Sequence, residues 1–223
     1  MTAFAAVVFD FDGLLMDTES TLVAAWRSEL SHHGLTLALD ASFWPGHGGD
    51  VTDHRLDRLG ALVGPGLDRA ASHARFLAHR ERLHRSLGLR PGIAAWLSEA
   101  RAAGLACAVA SSLPRAWVQA HLSRAGVLAS FDAIATGDEV LTHKPDPAVY
   151  HLVLARLGLP PASAVAVEDT PHGIAAAHAA GMPTVAIPNP FVAAAQLTSA
   201  NLVLASATDL PLAEVLLRLS PES

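Results

Sequence analysis

The chain of 223 residues carries a single cysteine, Cys107. No disulfide can form within it, and that usage fits a reducing, cytoplasmic setting. Charge is sparse: 16% of residues are Asp, Glu, Lys or Arg, and the net charge is −6. A basic surplus is missing, and with it the footprint of a nucleic-acid surface or a polybasic membrane patch. No apolar run reaches the roughly 18 residues that a membrane-spanning helix needs. Met1–Phe9 is apolar, but it lacks a basic start and meets Asp10 and Asp12 at once. It is expected to be neither a signal peptide nor a span. Lysine is nearly missing too: fourteen arginines stand against one lysine, Lys144. A lysine kept where arginine is used everywhere else asks for an explanation.

What is present is apolar residue in quantity, 51% of the chain. That is enough for a sizeable core and excludes disorder as the main state. At about 150 residues per domain, the length allows one large domain, or one plus a small insert. Short apolar runs at Ala5–Phe9, Leu105–Ala110, Ala133–Ala135, Ala164–Val167, Thr184–Ile187 and Asn201–Ala205 read as buried strands. Helical patterns lie between them at Gly92–Ala103, Pro114–Gly126, Pro147–Gly158 and Pro171–Gly181. Thr170 can cap the last of these with Pro171 in its first turn, and Gly126, Gly158 and Gly181 sit where helices stop. Strands alternating with helices predict an α/β fold: βαβ units around a parallel sheet.

Residues 14 to about 88 break that rhythm and hold no convincing strand. Leu22, Trp26 and Leu30 form one stripe of a helix ending near His33 and Gly34. Asp68–Leu87 is rich in Arg and His, with Ala71, Phe76, Leu77 and Leu83 interleaved. Between them lies a loop, Pro45-Gly46-His47-Gly48-Gly49. The simplest account is a small helical domain inserted after the first strand, with the chain returning at Arg90-Pro91-Gly92.

Four strand ends, counting the loop beyond the third, carry polar groups. The first ends in Asp10-Phe11-Asp12-Gly13, the second in Ser111-Ser112, and the fourth in Glu168-Asp169-Thr170. Lys144 lies in Thr142-His143-Lys144-Pro145-Asp146-Pro147, where Asp146 can cap a helix beginning at Pro147. Each has an ordinary reading: a turn, an N-cap serine, a surface lysine, helix-start acids. Together they gather at one edge of one sheet, where ligands of such folds bind. Clustered carboxylates repel and need a cation, which Lys144 and a divalent metal would supply. Hard oxygen ligands suit Mg²⁺.

The stretch Asp10-Phe11-Asp12-Gly13-Leu14-Leu15-Met16-Asp17-Thr18-Glu19, with Ser111, Lys144 and Glu168-Asp169 in order, resembles the four motifs of the haloacid dehalogenase superfamily. The insert resembles the helical cap of its phosphoglycolate phosphatase-like and β-phosphoglucomutase-like members. The resemblance implies a Rossmann-like core at 1–15 and 88–223 and a specificity cap at 16–87. It implies a Mg²⁺-dependent phosphatase of a small, sugar phosphate-like metabolite that works through an aspartyl phosphate, with Asp10 the nucleophile and Asp12 the general acid and base. Ser111, Ser112 and Lys144 would bind phosphoryl oxygens. Asp10, the Asp12 carbonyl, Asp169 and Glu168 would hold the metal. The acid at position 12 favours phosphate esters, because it can protonate a leaving alkoxide. His47 is either a substrate contact or an ordinary solvated loop residue, and Arg55 is a further candidate; Trp26 reads as core or as a substrate shelf. A phosphosugar mutase is the rival, but mutase relatives carry a histidine where this chain has Leu22, and an arginine in the loop that here reads Gly46–Asp50. A phosphoacceptor signalling module is the rival from another class; such modules place the acid pair before the acceptor and lack a 70-residue insert. The expected partner is a small phosphorylated metabolite, with no nucleic acid or membrane, bound by a monomer.

Overall fold

A computed structural model of the chain describes residues 4–36 and 52–220. The chain divides into two compact units, one of Met1–Asp17 with Gly88–Ser223 and one of Thr18–Leu87. Met16 and Asp17 stay with the first unit, two residues beyond the expected boundary. Met16 makes isolated bridges to Asp12 and to Leu89, which tie the two crossings of the chain together.

The first unit is built on six strands: β1 (Ala6–Phe9), β2 (Ala106–Ala110), β3 (Ala133–Ala135), β4 (Ala164–Glu168), β5 (Thr184–Ala186) and β6 (Leu202–Val203). They lie in the order β3-β2-β1-β4-β5-β6, and every pairing is parallel. β1 and β4 are buried along their whole length. That explains why both read as continuous apolar runs rather than as alternating ones. The two faces differ in bulk. Ala6, Val8, Ala108, Ala110, Ala133, Ala135, Ala164 and Ala166 share one cluster with Val149, Tyr150, Val153 and Leu154. These small side chains receive α6 (Ala148–Leu157) and α7 (Pro171–Ala179).

Phe9 pairs with Val109 on β2 and with Val167 on β4. The register therefore delivers Asp10, Ser111 and Glu168 to the same sheet edge. β1 is also where the strand order reverses, the place where open parallel sheets bind ligands. Thr170 caps α7 by accepting from Gly173 N at 3.1 Å, with Pro171 in the first turn. Gly126, Gly158 and Gly181 take positive φ after their helices. Asp146 Oδ1 accepts from Ala148 N at 2.9 Å, so α6 begins one residue later than expected. The remaining helices of this unit are α4 (Ile93–Ala102), α5 (Arg115–Arg124) and α8 (Leu212–Leu219).

The second unit holds α1 (Thr18–His32), α2 (Thr52–Val63) and α3 (Arg69–His84). Its core joins Ala25, Trp26 and Leu30 of α1 to Leu56 and Leu59 of α2 and Phe76 of α3. Trp26 stacks on Phe76 with ring centroids 4.4 Å apart, so Trp26 is core. Leu22 packs against the same cluster, while Leu77 lies on the exposed side. Glu29 is buried and takes two hydrogen bonds from Arg75, at 2.6 and 3.0 Å, across α1 and α3. Burial pushes its carboxyl up, but Arg75, Ser72 and His33 together hold it below the usual range. The loop carrying His47 lies outside the described residues.

The edge strand β3 turns the Ile134 carbonyl away from its β2 partner. Arg115 Nη2 donates to that oxygen at 2.5 Å and Arg156 Nη1 donates to it as well, and both arginines pair with Glu139. An unpaired edge carbonyl invites another strand, and two guanidinium groups block it. Replacing both arginines with Ala is expected to cost about 1–2 kcal/mol after allowing for partial exposure. It is also expected to promote self-association on heating. Urea melts and light scattering check this, and an unchanged midpoint with no scattering would refute it.

Candidate active site

The loop after β1 sets the site. Gly13 N donates to Met16 O at 2.9 Å, and Leu15 N donates to Phe11 O at 3.1 Å, closing a tight turn. Gly13 has φ +81°, and a Cβ there would stand 2.2 Å from Asp169 Oδ2. Only glycine satisfies both the dihedral and the close approach. Phe11 is fully buried, edge-on to Trp117 at 5.4 Å, and anchors the segment between Asp10 and Asp12. Arg90 donates to Gly13 O at 2.6 Å and to Pro188 O at 2.9 Å, clamping this loop to the one after β5.

Lys144 is the centre. Its Nζ donates to Asp10 Oδ1 at 2.5 Å, to Glu168 Oε1 at 2.6 Å and to Ala110 O at 2.9 Å. All three ammonium donors are used. Lys144, Asp10 and Glu168 have side-chain exposures of 7%, 9% and 1%, so water screens these contacts little. Burial alone would lower the lysine pKa; Asp10 and Glu168 outweigh it and hold the ammonium above its ordinary value. Asp10 is pushed up to about 7 by burial, against the pull of Lys144, with Glu168 adding to the rise.

Asp169 completes the group. Ligand oxygens of Asp10, Glu168 and Asp169 all lie within 4.8 Å of one another. Asn189 Nδ2 donates to Asp169 Oδ2 at 2.8 Å, and Asn189 Oδ1 accepts from Phe191 N at 2.8 Å. Glu168 Oε2 accepts from Asp169 N at 3.2 Å, and Tyr150 donates to Glu168 Oε1 at 2.5 Å. Three buried carboxylates against one ammonium leave an excess of negative charge. That excess and the all-oxygen donor set fit a hard divalent cation.

Of the other expected site residues, Ser111 is fully buried beyond β2, and its Oγ accepts from Leu113 N at 3.1 Å. Ser112 is exposed, with its carbonyl oxygen 2.1 Å from where a Gly137 Cβ would stand. Asp12 is half-buried and is not one of the three clustered carboxylates. Arg55 is buried on α2, at 6% exposure.

Residues 7–187 match the family model of haloacid dehalogenase-like hydrolases. The chain belongs to this family. It is 33% identical over 193 residues to the phosphoglycolate phosphatase of Yersinia pseudotuberculosis, covering 83% of this chain and 81% of that one. It is 33% identical over 186 residues to the fructose-1-phosphate phosphatase YqaB of Escherichia coli, covering 82% and 95%. A hydrolase of the same family from Deinococcus radiodurans, solved with bound phosphate and sodium, superposes with a TM-score of 0.81 at 29% identity over the full length of both chains. As a haloacid dehalogenase-like hydrolase, the protein is an enzyme of the phosphoric monoester class.

Three residues at this site escape a reading of the sequence. Tyr150 reads as one position of an apolar helix stripe, and its hydroxyl is the only sign that it does more. Asn189 stands in an irregular segment after β5 with no periodicity to mark it. Arg90 marks only the return of the chain.

Gly173 yields a test of how tightly the cluster is built. A Cβ there would lie 1.9 Å from Glu168 Oε2. Alanine favours a helix by about 1 kcal/mol over glycine, so propensity alone predicts a gain for Gly173→Ala. The clash predicts the reverse: a lower melting temperature and a loss of activity. A variant that melts higher and keeps full turnover would show that Glu168 is free to move.

Proposed function

We propose that this hydrolase is a Mg²⁺-dependent phosphatase of a small, sugar phosphate-like metabolite, acting through an aspartyl phosphate on Asp10. The observation that carries this reading is the direct contact of the single lysine with Asp10 and Glu168 at the strand-order reversal. The names of the two phosphatase relatives support the substrate class.

In this mechanism an Asp10 carboxylate oxygen attacks phosphorus and the ester P–O bond breaks. Asp12 gives its proton to the departing alkoxide. Water then attacks phosphorus, Asp12 takes its proton, and the Asp10–phosphate bond breaks to release phosphate. The two steps restore both side chains. Lys144 favours the ionised form of Asp10 and, with Ser111 and Ser112, stabilises the equatorial phosphoryl oxygens, where transition-state charge is spread. Asp10, Glu168, Asp169 and the Asp12 carbonyl would hold Mg²⁺, which screens the dianionic phosphate from the anionic nucleophile. The helical unit, with His47 in its loop, supplies specificity for the leaving group. The enzyme works as a monomer in the cytoplasm, on a small molecule rather than on nucleic acid or a membrane. Among the described residues, no helix is long and apolar enough to cross a membrane.

The apolar setting of Leu22 favours hydrolysis over a mutase reaction. A mutase must withhold its aspartyl phosphate from water until the substrate turns, which needs a proton-moving cap residue. Leu22 packs in the apolar cluster of its unit and moves no proton.

Asp10→Asn is expected to abolish turnover and keep the fold, as read by an aryl phosphate assay and circular dichroism; activity above a few per cent of wild type would end the covalent mechanism. Lys144→Ala is expected to lower kcat by roughly 10²-fold or more. Lys144→Arg is expected to restore it only in part, because a planar fork replaces a point charge poorly. Full activity of Lys144→Arg would make the lysine incidental. With β-glucose 1-phosphate and a bisphosphate primer, phosphorus NMR is expected to show phosphate release outrunning glucose 6-phosphate formation. Faster isomerisation would mean that the protein is a mutase.

A further inference from the structure

Glu168 Oε1 has two donors, Lys144 Nζ at 2.6 Å and Tyr150 Oη at 2.5 Å. Lys144 has no donor left over, since Asp10 and Ala110 take the other two. To reach a phosphoryl oxygen, as proposed above, it has to release one of these contacts. Loss of the bond to Glu168 leaves that acceptor still partnered, through Tyr150. Without that hydroxyl, release ahead of cation binding would strand a carboxylate oxygen on a residue of 1% exposure, which is costly.

The rest of the surroundings points the same way. Tyr150 is fully buried on α6, and its ring faces the ammonium, with Lys144 Nζ 4.9 Å from the centroid. The other carboxylate oxygen, Oε2, is held by Asp169 N and closed in by Gly173. Glu168 is thus held at both oxygens, and Tyr150 is the neutral side chain on the Lys144 side.

We propose that Tyr150 is a positioning residue. Its hydroxyl fixes Glu168 Oε1 for a divalent cation and keeps that oxygen partnered when Lys144 turns to the phosphoryl group. This rests on the roles given above to Lys144 and to the carboxylate cluster.

Tyr150→Phe tests it, because the ring and the packing of α6 are kept. Calorimetric titration of the substrate-free protein with Mg²⁺ is expected to show binding weakened about tenfold, the low end for loss of a group behind a metal ligand. With an aryl phosphate, kcat is expected to fall by about tenfold while KM changes by less than about twofold. In a Glu168→Gln background, Tyr150→Phe is expected to add less than about twofold, since its effect runs through that carboxylate. Mg²⁺ binding equal to wild type would overturn the proposal. So would an equal cost in both backgrounds, or loss of the folded state in Tyr150→Phe, which would make the hydroxyl a structural group. Activity surviving in Asp10→Asn would instead sink the covalent phosphatase reading, and the Mg²⁺ titration would still judge Tyr150.

Discussion

Buried negative charge is the constraint that the sheet unit is arranged around. Asp10, Glu168 and Asp169 lie within 4.8 Å of one another at the end of two adjacent strands, where water screens them little. Burial favours the protonated form and, with repulsion from Glu168 adding to it, pushes Asp10 up to about 7 against the pull of Lys144. One lysine answers two of the three carboxylates directly, and an asparagine side chain and a backbone N–H each hold one further oxygen. The site keeps an unmet demand for positive charge. That excess of negative charge and the all-oxygen donor set fit a divalent cation.

Holding these groups so close depends on residues that occupy almost no space. Gly13 lets the first loop pass over Asp169, and Gly173 lets α7 start against Glu168. The alanine-rich face of the sheet does the same on a larger scale. Ala108, Ala110, Ala133 and Ala135 share a cluster with α6, the helix that carries Tyr150 to Glu168. Larger side chains there would lift the helix and withdraw the hydroxyl from its partner.

The sheet was legible because its central strands are buried on both faces and so stand out as apolar runs. The last strand was legible only in place. Asn201–Ala205 narrows to Leu202–Val203, because Asp209 Oδ2 takes Ala205 N and Ser206 N and turns the chain. α2 and α8 gave no clear reading. In α2 the buried Arg55 interrupts the apolar stripe of Leu56 and Leu59, and α8 has eight residues, too few for periodicity to decide. Of the site, Asp10, Lys144, Glu168 and Asp169 could be read because acids and a lone lysine stand out among apolar strands. Tyr150 and Asn189 could not, because what they do depends on a hydroxyl or an amide reaching a carboxylate 18 or 20 positions away. No local pattern records such a pairing.

The isolation of Lys144 has a consequence for the chemistry of the whole protein. Lys144 is the only side-chain amine in 223 residues, and it is enclosed between two carboxylates that keep it protonated. Amine acylation needs the free base, so the arginine-studded surface offers such reagents no side-chain amine and the lysine offers them no lone pair. Any acyl group that does settle on Lys144 therefore reports that the carboxylates around it have been neutralised, displaced or occupied.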